Sequence, residues 1–249
     1  MRRIKLTLEY DGTRFAGFQR QAKGERTVQA ELESALAQIP GAVPKVVAAG
    51  RTDAGVHALG MVVHYDTEDR IPPEKIPYAL NRLLPPDVRA LAAEAAPPGF
   101  HARYSCHWRR YRYRILNRQM PSALARERTW WVPKPLDANA MQQGLAHFLG
   151  EHDFKAFATQ ERRGTVRTLY RARLERCGEE IVIDLVGNGF LRGQVRAMVG
   201  TLVEVGLGKR DPDVIAWLLA HGERKDAGPS APPQGLYFVA AGYAPWNGS

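Results

Sequence analysis

The sequence predicts an α+β fold: two ferredoxin-like (split βαβ) halves joined around a mixed, largely antiparallel sheet with helices on one side. Three observations predict it. A period-two strand opens each half, apolar stripes of helical period follow, and the order strand, helix, strand, strand, helix, strand recurs. The division falls near Pro97–His107, giving a first half of residues 1–104 and a second of residues 105–249. With 249 residues, 45% of them hydrophobic and 24% charged, the chain can bury two modest cores.

Each element has its own signal. Ile4, Leu6, Leu8 and Tyr10 alternate with Lys5, Thr7 and Glu9, a half-buried strand stopped by the turn pair Asp11-Gly12. Thr27 is placed to cap a helix whose apolar positions are Val28, Leu32, Ala35, Leu36 and Ile39. Met61–Tyr65 is a second strand, and Ile76–Leu84 a helix closed by Pro85-Pro86. In the second half Tyr111, Tyr113 and Ile115 alternate with Arg112 and Arg114. Leu136–Leu149 is a helix, and Leu169–Arg176 with Ile181–Val186 form a hairpin across Cys177–Glu180. Val195, Met198, Val199, Leu202 and Val203 make a helical stripe, a short helix spans Asp213–His221, and Leu236–Tyr243 is the last strand. Between those two lies Glu223–Gly235, rich in Pro, Gly and Ala, which is expected to be a long mobile loop.

Charge narrows the partners. There are 35 Lys and Arg against 26 Asp and Glu, a net charge of +9, and 27 of the cations are Arg. The guanidinium is a planar fork that matches phosphate and stacks on bases, so the bias favours a nucleic-acid partner. A thermostable protein with many surface Arg would have the same composition, so charge alone does not decide. Cys106 and Cys177 have no CxxC companion, which argues against a disulfide scaffold and a thiolate zinc site. The N-terminus lacks the apolar stretch of a signal peptide, and no run approaches the roughly 18 to 20 apolar residues of a membrane helix. The cytoplasm is the expected compartment. No Walker A run, GxGxxG, HExxH or GxSxG is present and the seven His are scattered. Any chemistry is therefore expected to need no cofactor: no ATP, nicotinamide or zinc.

Three segments could carry chemistry. Ala49–His57 is a polar run between apolar segments, with Gly50 and Gly55 framing Asp53 and a cation beside it at Arg51. A carboxylate so flanked suits a nucleophile or base, although Asp capping a Gly-rich turn gives the same spacing. His101–Arg118 holds Arg103, Arg109, Arg110, Arg112, Arg114 and Arg118, no acid, and Tyr104, Trp108, Tyr111 and Tyr113. That mixture suits unstacked bases and phosphate, and equally an ordinary strand with tyrosines in a core. Gly187–Arg196 is a turn leading into the apolar helix. Arg192 and Arg196 near a helix start oppose the macrodipole, which calls for an acid or phosphate opposite unless both are simply solvated.

Together these residues resemble one family. Gly50-Arg51-Thr52-Asp53-Ala54-Gly55-Val56-His57 matches the signature loop of the tRNA pseudouridine synthase A family, which acts on the anticodon arm. The resemblance spans nearly the whole chain. Tyr10-Asp11-Gly12-Thr13 with Phe15, Gly17, Gln19 and Gln21, and then Thr27-Val28-Gln29, are similar to its first motif. Arg110-Tyr111-Arg112-Tyr113 resembles its aromatic strand, Phe190-Leu191 with Val195-Arg196 its third motif, and Ala231–Leu236 its closing one. Gln194 departs from the pattern, standing where an apolar residue, often Met, is expected.

The resemblance implies an isomerase that converts uridines 38, 39 and 40 of the tRNA anticodon stem-loop to pseudouridine. Asp53 matches the catalytic nucleophile or base, Tyr111 the tyrosine that packs on the target base, and Arg196 the arginine paired with the aspartate. Arg51 is assigned to holding the extruded nucleotide's place or its phosphate. An isomerisation needs no external energy, in keeping with the missing cofactor motifs. The family also implies a homodimer whose subunits both contact one tRNA. Two rivals share features with this reading. An RNA-binding module would have the basic aromatic strand but no use for a Gly-framed Asp. A nucleoside hydrolase would need a second acid beside Asp53.

Overall fold

A computed structural model describes residues 1–22, 24–159 and 164–248. In chain order the elements are β1 (Arg2–Tyr10), α1 (Val28–Leu36), β2 (Val47–Ala48), β3 (His57–Thr67), α2 (Ile76–Asn81), β4 (Val88–Ala95), β5 (Trp108–Leu116), β6 (Trp130–Trp131), α3 (Ala138–Ala146), β7 (Gly150–Asp153), β8 (Val166–Cys177), β9 (Glu180–Gly187), α4 (Gln194–Gly206), α5 (Val214–His221) and β10 (Leu236–Gly242). The strands form mixed, largely antiparallel sheet with helices on one side, an α+β fold of double ferredoxin-like type. By contacts the chain divides into two compact units, Met1–His107 with Tyr237–Ala244, and Trp108–Leu236 with the residues from Pro245 on.

In the first unit the strands run in the order β4-β1-β3-β10, with β2 against β3. The alternation seen in the sequence is the cause: Ile4, Leu6, Leu8 and Tyr10 are all buried on one face of β1. Those residues fix the register, Ile4 opposite Tyr65 and Leu6 opposite Val63 in the antiparallel pairing with β3. The last strand of the chain, β10, joins this unit by pairing parallel to β3, with Tyr237 opposite His57. The Thr27 hydroxyl accepts from Ala30 N at 3.2 Å and starts α1. Val28, Leu32, Ala35 and Leu36 then face the core.

The second unit orders its strands β5-β9-β8-β7, with β6 parallel to β5. β8 and β9 form the expected hairpin, Arg176 opposite Ile181, and β9 pairs antiparallel with β5, Tyr113 opposite Ile183. Asp137 caps α3, accepting from Asn139 N and Ala140 N. α4 is buried almost all round, beyond the one face its apolar stripe accounts for.

Several elements differ from the sequence expectation. β3 runs from His57 to Thr67, well beyond Met61–Tyr65, and α2 and α3 are shorter than their apolar spans. β4 carries no strand signal, because its alanine-rich composition favours helix; its Leu91 is exposed, and only Val88 and Ala90 are buried. Backbone pairing with β1 outweighs the helix propensity of its alanines. The largest correction concerns Glu223–Gly235. It is not a loose loop but a strap packed on α4. Ala231 N donates to Arg196 O at 2.9 Å, and Gly228 N to the buried Thr201 Oγ1 at 2.9 Å. Arg210 and Arg224 hold the Asp226 and Gly228 carbonyls. A Cβ on Gly200 would sit 1.7 Å from the Pro229 oxygen, so only glycine lets strap and helix approach this closely. No helix among the described residues is long and apolar enough to cross a membrane.

Candidate active site

Asp53 stands on the loop that leads into β3, and the residues on either side of it are anchored. Ala49 N donates to Val62 O at 2.8 Å. Thr52 is buried, with its hydroxyl 2.8 Å from that of Tyr10 and its carbonyl accepting from Phe18 N. Val56 N closes a turn on Asp53 O at 3.2 Å, made possible by Gly55 at φ +79°. Between these anchors the Asp53 side chain is half-buried and Arg51 is exposed.

The Tyr10–Gln29 motif builds the support beneath this loop. A Cβ on Gly12 would meet the Val56 oxygen at 2.0 Å, and one on Gly17 would meet the Thr52 oxygen at 2.9 Å. Both glycines therefore let the loop rest on the backbone that follows β1. Gly12 N donates to His57 Nδ1 at 3.0 Å, and the buried His57 ring stacks on Tyr237 at 4.9 Å. Asp11 Oδ1 lies 3.2 Å from the same ring nitrogen, which can donate to it only when Nδ1 carries a proton and so no longer accepts from Gly12 N. Gln29 ties the same layer to α1, its side-chain oxygen accepting from Arg20 N and its backbone N donating to Phe18 O.

Tyr111 and Arg196 belong to the second unit. Tyr111 lies on β5 opposite Leu185, its ring edge-to-face with Phe190 at 5.0 Å. Phe190 begins the turn that opens α4, so one short turn links the tyrosine's neighbour to the helix carrying Arg196. Gly193 takes φ +72° at the helix cap, and Arg192 O accepts from Thr159 N. Gln194, the departure from the family pattern, is fully buried and braces the turn. Its Oε1 accepts from Leu191 N at 2.8 Å, and its Nε2 lies 3.7 Å from Met198 Sδ. In Arg196 the Nε donates to Ala231 O at 2.7 Å.

The basic strand is less available than the sequence suggests. Arg110 and Arg112 share Asp184, Arg114 makes a forked pair with Glu180, and Arg118 pairs with Glu179. These carboxylates lie on or beside β9, across the sheet, and residues 101–118 alone give no sign of them. Tyr113 faces the core and donates its hydroxyl to Pro232 O at 2.6 Å; burial pushes its pKa upward, so it stays a donor. Phe190, Tyr113 and Thr52 carry no individual signal of a role in the sequence beyond membership of the motifs. Among the described residues no group of three or more His, Cys, Asp or Glu is placed to hold a metal ion.

A family model described as tRNA pseudouridine synthase matches residues 7–105 and 145–244. Those stretches include the Asp53 loop and the helix of Arg196, while Tyr111 falls between them. The class this defines is an RNA-binding isomerase that acts in tRNA processing. The relatives narrow it. A tRNA pseudouridine synthase A of Thermus thermophilus is 56% identical over 98% of this chain and 97% of its own length. Those of Acetivibrio thermocellus and Halalkalibacterium halodurans are 44% and 47% identical, over 98% and 95% of this chain and 100% and 90% of their own. The chain belongs to the tRNA pseudouridine synthase A family.

Proposed function

We propose that this synthase isomerises uridines 38, 39 and 40 of the tRNA anticodon stem-loop, with Asp53 as the catalytic nucleophile or base. The observation that carries the reading is the Asp53 loop itself. Its neighbours are pinned by backbone and buried hydroxyl contacts, and two glycines give up their side chains to seat it. A loop held this way fixes the backbone position of Asp53 before substrate arrives, which lowers the entropic cost of the reacting geometry. In the reaction the bond from C1′ to N1 breaks, the uracil turns, and C1′ bonds to C5, whose hydrogen leaves as a proton while N1 takes one up. Nothing is oxidised or reduced, so no cofactor is required.

The other roles follow the chemistry of each side chain. Tyr111 offers its ring to the extruded base, which has lost its stacking neighbours. Arg196, matching the family's arginine, is assigned as the partner that orients the catalytic aspartate. Arg51, exposed on the same loop, holds the phosphate or the place of the extruded nucleotide; an Arg51→Ala enzyme with unchanged tRNA affinity and rate would remove that role. The enzyme acts in the cytoplasm as a homodimer, and a sedimentation profile showing only monomer at working concentration would contradict the dimer. The target positions are tested with tRNA transcripts in which uridines 38, 39 and 40 are replaced by cytidine one at a time. Each replacement is expected to remove one mapped pseudouridine and leave the others. Modification confined to a different arm would overturn the assignment.

A further inference from the structure

We propose that Tyr113 is a positioning residue for the isomerisation, acting through the Ala231–Pro232 strap to fix the guanidinium plane of Arg196. It rests on the role given to Arg196 above.

The chain of contacts is short and lies wholly within the second unit. The Tyr113 hydroxyl donates to Pro232 O at 2.6 Å. The next residue back, Ala231, pairs with Arg196 at both ends: its carbonyl accepts from Arg196 Nε at 2.7 Å, and its N donates to Arg196 O at 2.9 Å. The guanidinium is a rigid planar fork, so fixing Nε fixes the plane in which both Nη groups lie. A long, rotamer-rich side chain near the start of a helix is thereby held in one direction before RNA binds.

Two further approaches show that the strap is built to hold this position. A Cβ on Gly235 would lie 2.6 Å from Tyr113 Cζ, so the strap's far end is seated directly on the tyrosine ring. At its near end Gly228 N is held by Thr201 Oγ1, and Pro229 O packs where Gly200 has no side chain. Ala231 is thus clamped between two fixed points. Tyr113 is fully buried, and its hydroxyl spends its proton on the strap. A core that needed only the ring would be served by phenylalanine.

The test is Tyr113→Phe, read as tritium release from tRNA labelled at C5 of uridine, with kcat and KM separated and Tm measured alongside. A positioning role predicts a kcat lower by about ten-fold, the scale of a sub-ångström misplacement, with KM unchanged. Gly235→Ala, which pushes the strap off the same ring, should give the same split. In an Arg196→Lys background, where the planar fork is gone, Tyr113→Phe should cost nothing further. Tyr113→Phe that lowers Tm but keeps the wild-type kcat overturns the proposal, as does a loss that simply multiplies with that of Arg196→Lys. If Arg196→Lys alone keeps the wild-type kcat, the reading of Arg196 fails and this proposal fails with it. If Arg196→Lys is slow and Tyr113→Phe is not, only the proposal fails.

Discussion

Gly12→Ala is the perturbation that most directly asks whether the Asp53 loop must sit where it does. The added Cβ would lie 2.0 Å from the Val56 oxygen and 2.4 Å from its carbonyl carbon. Ordinary contact begins near 3.4 Å, so the Val56 carbonyl must retreat by about 1.4 Å or Gly12 must yield by as much. Gly12 N is bonded to His57, the residue next to Val56, so the clash bears directly on the backbone where the Asp53 loop enters β3. Val56 closes the turn on Asp53 O, so its displacement carries the carboxylate with it. A shift of this size costs about 10²-fold in the chemical step. The assay is kcat for tritium release at saturating tRNA, with tRNA affinity and Tm measured on the same preparation. The expected result is a folded enzyme that binds tRNA with little change and turns over about 10²-fold more slowly. Gly17→Ala should fall between it and wild type, since its Cβ would meet Thr52 O at 2.9 Å, with added strain at φ +108°. A folded Gly12→Ala enzyme with wild-type kcat would refute the reasoning.

Three further outcomes are expected. Burial, with the nearby Arg3 and His101, lowers the pKa of His64 from 6.5 to about 4, and its Nδ1 accepts from Ala102 N. The unfolded chain therefore binds the extra proton first, and stability should fall as pH drops from 6.5 toward 4, by at most about 3 kcal/mol. Thermal melts across that range should be steeper in pH for wild type than for His64→Gln, and equal slopes would contradict this. Gly200→Ala should lower Tm by several degrees, because its Cβ would overlap the Pro229 oxygen at 1.7 Å; an unchanged Tm would mean the strap moves freely. Arg114→Gln should leave the salt dependence of tRNA binding unaltered, since Glu180 already neutralises that guanidinium. A slope shallower by about one would show that Arg114 contacts phosphate after all.

What can be read from the sequence is whatever the chain states locally. The alternation of β1, the Thr27 cap and the β8–β9 turn are local, and the structure has each in place. β4 is not legible because pairing with β1, not its own composition, makes it a strand. β2, β6 and β7 are too short to show a period. The strap departs from expectation for an instructive reason. Gly, Pro and Ala signal looseness when nothing is packed against them, whereas here Gly228 and Ala231 are buried and bonded to α4. Likewise the Arg-rich strand shows its cations but not Asp184 and Glu180, which follow some seventy residues later and meet it only across the sheet. In the candidate site the motif marks Asp53 and its glycines, while the contacts that hold Arg196 need three dimensions to be seen.

The central claim, that Asp53 performs the isomerisation, is tested most directly by tritium release from C5-labelled tRNA, comparing wild type with Asp53→Asn. Forming the new bond at C5 must expel that hydrogen. Rapid release by wild type, abolished in a variant that still binds tRNA, is the predicted result; release that persists in Asp53→Asn would leave the enzyme class intact and show that another residue does the chemistry.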